Sequence, residues 1–226
     1  NTQVGDKLEY STDDGKTWSD DNPGFVNVGT YVVMVRATNP NYQTRTGTGT
    51  VTITKKPASV TPNDKTKVYG DSDPVFDGEL EGFLAKDNVT ASYHRASGED
   101  VGNYVINATL SPADALKNYD VTYNTGTLTI TKRPITVKAD DKEKLYGQPD
   151  PALTYTVTAG NLVFGDQFTG SLERVQGEDV GNYDILQGTL ALSDNYELTF
   201  VKGTLTIKVG QAPELSITDY EGVYDG

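Results

Sequence analysis

The chain is written in copies. Asn118-Tyr119 returns as Asn195-Tyr196, Gly126-Thr127-Leu128-Thr129-Ile130 as Gly203-Thr204-Leu205-Thr206-Ile207, and Tyr69-Gly70 as Tyr146-Gly147, each 77 residues further on. Between these anchors Gly98-Glu99-Asp100-Val101-Gly102-Asn103-Tyr104 recurs letter for letter as Gly177 to Tyr183, at an offset of 79, so small indels fall in the loops on either side. The pattern reaches backwards to Asn41-Tyr42 and Gly49-Thr50-Val51-Thr52-Ile53, and forwards to Gly222-Val223-Tyr224-Asp225-Gly226. A fixed period marks a chain assembled from one repeated structural piece. Four stretches follow: a truncated repeat at 1–56, full repeats at 57–133 and 134–210, and the opening strand of a further one at 211–226.

Within each repeat the texture is that of strands. Thr127–Thr131, Ile135–Lys138 and Thr204–Lys208 alternate branched or aliphatic with polar residues, the period of a half-buried strand. Thirty Thr favour a pleated, partly solvated surface over helix. Leu, Ile, Val and Phe make up 51 of 226 residues, about 23% against the roughly 20% that separates folded from disordered chains. So thin a supply of core residues suits several small cores better than one large one. Helix is confined to single turns near Leu84–Asn88 and Leu162–Gln167, and to Ser111–Lys117, where Ser111 is placed to cap and Pro112 to open the first turn.

The junctions between repeats carry no slack. Thr129 to Val137 runs from a closing strand into an opening one without Gly or Ser, and Pro134 fixes its own φ and holds Arg133 extended. Lys55-Lys56-Pro57 repeats the device. Stiff joints between like pieces predict a rod. A compact chain of 226 residues has a radius of gyration near ~17 Å, and small β domains end to end about twice that.

Composition removes whole classes of function. A net charge of −13 opposes phosphate backbones and anionic lipid, so no nucleic-acid partner is expected. No apolar run approaches a membrane span, so no membrane insertion is expected in this segment. With no Cys and one His, disulfides, thiolate nucleophiles and Cys- or His-based metal sites are excluded.

The Tyr-Gly near the start of each repeat, the Gly-Glu-Asp-Val-Gly-Asn-Tyr block, the Asn-Tyr before a strand and the closing Gly-Thr-Leu-Thr-Ile-Thr-Lys-Arg-Pro together resemble MBG ("mostly beta-grasp") repeats. The two full repeats look like the Tyr-Gly-X type, and the partial ones at the ends like the Tyr-Asp-Gly type. The resemblance implies a mostly β fold of tandem small β-grasp-like domains and an extracellular place on a bacterial surface protein or adhesin, with signal and anchor outside this fragment. It implies a structural stalk role and supplies no catalytic residue and no cofactor. One alternative fold stays open. Asp100-x-Gly102-x-Tyr104 and Asp179-x-Gly181-x-Tyr183 match the tyrosine corner of immunoglobulin-like β-sandwich repeats. Either fold gives that Tyr a packing role and a bonded hydroxyl.

Each chemical motif has a plainer structural reading. Ser11-Thr12-Asp13-Asp14-Gly15-Lys16-Thr17-Trp18 resembles the Asp-box of sialidases, but a single box with few Arg reads as a hairpin turn. Asp71, Asp73 and Asp77 are spaced somewhat like a calcium loop, yet Val75 and Gly82 stand where an EF-hand needs ligands. Gly98–Tyr104 leads into a strand, not into the helix N-terminus of a phosphate site. Glu99 with Asp100, and Glu178 with Asp179, are adjacent on turns and point apart, unlike the opposed carboxylates of a glycosidase. His94 reads as an exposed strand residue. No metal or catalytic site is assigned.

Fourteen Tyr offer the best route to a ligand, because grouped rings stack on sugars. Tyr69, Tyr104, Tyr119, Tyr146, Tyr183 and Tyr196 recur between repeats and read as core. Tyr10, Tyr93, Tyr123 and Tyr155, with Tyr220, remain as ligand-contact aromatics. The leading expectation is thus a non-catalytic extracellular spacer; the alternative is an adhesive module for host glycan or protein. Head-to-tail self-association is also expected. The strand-like Glu214–Tyr220 has no body of its own to join, and an open sheet edge recruits a strand.

Overall fold

The computed structural model describes residues 6–211 and 222–225. The protein is mostly β, with 52% strand and 3% helix arranged as several small sheets. The first repeat supplies β1 (Lys7–Ser11), β2 (Gly29–Asn39) and β3 (Tyr42–Ile53). The second supplies β4 (Lys56–Pro62), β5 (Lys65–Val68), β6 (Gly78–Glu81), a 3-10 turn at Ala85–Asp87, β7 (Thr90–Arg95), β8 (Gly102–Ser111), α1 (Ala113–Leu116), β9 (Tyr119–Tyr123) and β10 (Gly126–Thr131). The third supplies β11 (Arg133–Ala139), β12 (Lys142–Leu145), β13 (Tyr155–Ala159), β14 (Glu173–Arg174), β15 (Gly181–Leu186), β16 (Tyr196–Val201) and β17 (Gly203–Lys208).

Both full repeats use the same plan of two sheets. In the third they are β13-β11-β16 and β12-β17-β15-β14; in the second, β6-β4-β9 and β5-β10-β8-β7. Each sheet of the third repeat joins an early strand to a late one in parallel, β11 to β16 and β12 to β17. β4 and β9 are likewise parallel. These pairs differ from the antiparallel sheets of an immunoglobulin-like sandwich. The first repeat contributes one antiparallel sheet, β1-β2-β3.

Alternation is visible strand by strand. In β10 and β17, Gly126, Leu128, Ile130 and Gly203, Leu205, Ile207 turn inward and the intervening Thr outward. A single residue, Lys132, separates β10 from β11, and Thr54-Lys55 separate β3 from β4. The extended junctions read from the sequence are therefore present. The short helix is placed differently from its sequence signal. Ser111 stays in β8 opposite Thr90, so Pro112 becomes the cap residue of α1 and no side chain caps it.

The chain divides into two compact units. One holds the described residues of Asn1–Lys65, Pro74–Ser97 and Tyr104–Leu128; the other holds those of Thr66–Asp73, Gly98–Asn103 and Thr129–Gly226. In the first, Val33, Val60, Ile106, Leu110, Tyr119 and Leu128 are buried. In the second, Ala139, Ile185, Leu205 and Ile207 form the centre of a core flanked by Leu153, Leu172, Tyr183 and Phe200.

Candidate functional site

The most worked-out constellation lies where one repeat meets the next, and it occurs twice. In the second compact unit it is built on Asn195-Tyr196, at the start of β16. The Asn195 carbonyl accepts the N–H of Arg133 at 2.9 Å, tying down the residue before Pro134. Its side chain faces the preceding repeat: Oδ1 accepts the Val101 N–H at 2.8 Å, and Nδ2 donates to Asp100 at 2.8 Å. One amide thus satisfies a turn of the Gly-Glu-Asp-Val-Gly block while its own backbone closes the junction.

Tyr196 extends this lock. Its hydroxyl accepts the Val163 N–H at 3.0 Å and donates to Asp166 at 2.8 Å. Tyr69, from the Tyr-Gly of the preceding repeat, donates to the same Asp166 oxygen at 3.0 Å. Its ring meets Tyr196 and Phe164 edge-on, at 5.5 and 5.4 Å between centroids, a geometry worth about 1 kcal/mol per pair beyond burial. Tyr69 is only 5% exposed. Burial first, and the Asp166 carboxylate second, push its hydroxyl up to about 12. Tyr196 is also shifted upward, chiefly by burial.

The first compact unit repeats the arrangement on Asn118-Tyr119. The Asn118 carbonyl accepts the Lys56 N–H at 3.0 Å, its Oδ1 accepts the Val28 N–H at 2.9 Å, and its Nδ2 donates to Asn27 at 3.2 Å. Tyr119 donates to Asp87 and accepts the Leu84 N–H at 2.9 Å. The bond to Asp87, followed by burial, moves the Tyr119 hydroxyl upward. Here no Tyr69 equivalent stands among the described residues, and Thr54, Lys56, Leu84, Asp87, Asn118 and Tyr119 line a cavity of about 270 Å³.

Comparison with known families accounts for this duplication. The profile described as MBG domain (YGX type) matches residues 58–129 and again 135–206, and a second MBG domain profile matches 13–57. The chain belongs to the MBG domain family. MBG domains are found in surface proteins. Comparison with the curated proteins finds no match. Among the described residues no helix is long and apolar enough to cross a membrane.

The MBG repeats also hold an ion-pair cluster that the sequence reading passed over. Lys67 and Lys144, two residues before each Tyr-Gly, are 7% and 8% exposed. Lys67 reaches Asp73 at 2.8 Å and Glu99 at 2.6 Å; Lys144 reaches Asp150 at 2.7 Å and Glu178 at 2.5 Å. Arg174 then bridges Asp150 and Glu178. Burial pulls the Lys67 ammonium down, but its bonds to Asp73 and Glu99 outweigh that, and the net direction is up. Glu99 and Glu178 therefore pair with buried cations. The signal was present: Lys recurs at offset 77 and Glu at offset 79.

The remaining motifs take the following places. The Asp-box of the first repeat is a hairpin turn: Asp13 accepts the Thr17 N–H at 2.9 Å and its hydroxyl at 2.7 Å, and Asp14 and Gly15 hold φ of 57° and 78°. The bonds from Thr17, backbone first, lower Asp13 to about 2. Asp71 accepts from Arg133, and Asp77 pairs with Lys65. His94 is exposed on β7 opposite Asn107. Tyr183 donates to the Asp179 carbonyl at 2.8 Å and Tyr31 to the Asn27 carbonyl at 3.0 Å, the bonded hydroxyl expected of either fold.

The aromatics proposed for ligand contact share no sheet. Tyr10 stands on β1, Tyr93 on β7, Tyr123 on β9 and Tyr155 on β13, strands of four different sheets. Tyr155 packs against Phe168 at 5.2 Å, Tyr123 is 53% exposed, and Tyr10 lines a cavity of about 270 Å³ with Trp18. Tyr220 and the strand expected at Glu214–Tyr220 lie outside the described residues. Among the recurring tyrosines read as core, Tyr69, Tyr119 and Tyr196 are buried and Tyr104 and Tyr183 half-buried, whereas Tyr146 is 55% exposed. That expectation fails at Tyr146, because its ring has no following Asn-Tyr and Asp among the described residues to close over it.

Proposed function

We propose that this chain is a non-catalytic extracellular spacer of a bacterial surface protein, whose task is to hold another part of the molecule away from the cell. The observation that carries the reading is the recurrence of one lock: Asn118 and Asn195 make the same set of bonds to the repeat before them. Copying a junction along with the body is what a polymer of defined reach requires, and a catalyst gains nothing from it. The high acidic charge keeps such a polymer soluble.

Small-angle scattering tests this. An extended spacer gives a radius of gyration about twice the ~17 Å of a compact chain of this length, and a value near the compact one overturns it. Binding to a glycan or matrix-protein panel that is abolished by Tyr10→Ala, Tyr93→Ala, Tyr123→Ala or Tyr155→Ala would assign the chain to adhesion instead.

A further inference from the structure

The Asn195 clasp and the Lys67 ion pairs close into a single ring of bonds. Arg133 opens β11, and its guanidinium donates to the Asp71 carboxylate at 3.3 and 3.4 Å. The Asp71 carbonyl accepts the Lys67 ammonium at 3.1 Å, and the same ammonium donates to Glu99 at 2.6 Å. Asp100 follows Glu99 in the chain, and its carboxylate accepts Asn195 Nδ2 at 2.8 Å. The Asn195 carbonyl then returns to the Arg133 N–H at 2.9 Å. Every residue of the ring belongs to the second compact unit.

Lys67 is the pivot of this ring. Its side chain is 4% exposed, and its three ammonium protons meet three acceptors: the Asp71 carbonyl, Asp73 and Glu99. A buried ammonium holds such partners in place, because releasing one leaves charge uncompensated where water does not reach it. Glu99 is 46% exposed and stands on a turn bounded by Gly98 and Gly102, residues of high backbone freedom. Anchoring Glu99 restricts that freedom. The next two residues, Asp100 and Val101, are the ones that Asn195 clasps. The ammonium thus fixes the clasped turn from one residue away.

The first junction supplies a contrast within the same chain. Val26-Asn27-Val28 stands where the second repeat has Glu99-Asp100-Val101. Asn118 holds that turn through the Val28 N–H and the neutral Asn27 amide. Lys56, at the position of Arg133, gives its ammonium to the Gly82 carbonyl. Both junctions keep the Asn clasp, but only the turn held by Asn195 carries carboxylates.

We propose that Lys67 is a positioning residue of the Asn195 junction: by anchoring Glu99 it presents the Asp100 carboxylate and the Val101 N–H to Asn195. The clasp therefore closes on a turn that its own repeat already holds, and its strength depends on charge. The Asn118 clasp has no such dependence. The inference goes beyond the spacer reading and does not rest on it, since the junction is the same in a spacer and in an adhesive chain.

Amide exchange of the whole chain tests it, read at Val101, whose N–H the clasp covers. Glu99→Ala should raise exchange at Val101 about tenfold. That side chain is half exposed and Lys67 keeps Asp73 as a counter-charge, so the variant folds. Glu99→Gln retains an acceptor for the ammonium and should bring protection back to within about threefold of the parent chain. Lys67→Met should match Glu99→Ala at Val101; if it does not fold, the Glu99 variants decide alone. In an Asn195→Ala background, Glu99→Ala should add no more than about twofold, because the two act through one contact. Glu178→Ala removes the corresponding partner of Lys144 and should leave Val101 unchanged. Raising salt from ~0.1 M to ~1 M shortens the screening length from ~10 Å to ~3 Å, and should lower protection at Val101 while sparing Val28. A Val101 amide indifferent to Glu99→Ala overturns the proposal. So does an effect that persists in full without Asn195, or an equal salt response at Val101 and Val28.

Discussion

At the Asn195 junction a buried tyrosine from the repeat before it fills the space between Tyr196, Phe164 and Asp166. At the Asn118 junction the same Asn-Tyr pair and the matching Asp87 stand around a cavity. The polar half of the lock is complete in both: each Asn takes a Val N–H and donates to an Asn or Asp side chain. The two halves are therefore separable. Hydrogen bonding at a junction is carried by the Asn-Tyr of the later repeat, while packing is carried by the Tyr-Gly of the earlier one.

The largest effect should come from the packing half. Tyr69→Ala should cost the second compact unit about 3–5 kcal/mol, as for other buried aromatics, whereas Tyr146→Ala, on the same motif without its socket, should fall within about 0.5 kcal/mol. Denaturant melts of the two variants check this; equal losses would mean that Tyr69 gains nothing from the junction. Next come the polar halves. Asn195→Ala should cost about 2 kcal/mol and Asn118→Ala about 1 kcal/mol, since the second bond of Asn195 goes to a carboxylate and that of Asn118 to a neutral amide. Native-state hydrogen exchange at Val101 and Val28 reads each loss locally.

The smallest effect concerns alkali. The Tyr69 hydroxyl is raised from 10.0 to about 12 in the fold, so its contribution is complete below pH 10 and is lost as pH rises towards 12. An ultraviolet titration should show a late-ionising group of tyrosines that loses one member in Tyr69→Phe. Protection at Val28, in the Asn118 junction, should be indifferent to that substitution.

Much of this was legible in the residues. The repeat, the strand alternation, the slack-free junctions and the burial of Tyr69, Tyr119 and Tyr196 all follow from local pattern and spacing. The role of Asn118 and Asn195 did not, because each meets its partner 90 or more positions away, and nothing in an Asn-Tyr dipeptide says which turn it will clasp. Nor did the fate of Tyr146, since burial there depends on what comes next and not on its own neighbours. Gly49–Ile53 makes the same point from the other side. It shares the Gly-Thr-aliphatic-Thr-Ile spelling of β10 and β17, yet it lies almost wholly exposed, because among the described residues its sheet is not joined by a fourth strand as theirs are.

The parallel pairing of β12 with β17 has a mechanical consequence. Tension entering the third repeat near Arg133 and leaving beyond Lys208 loads β11 lengthwise against its parallel partner β16, and β17 lengthwise against β12. Their cross-links are then loaded together, in shear, and cannot be peeled one at a time. A repeat paired this way should resist being drawn out better than its modest core would suggest.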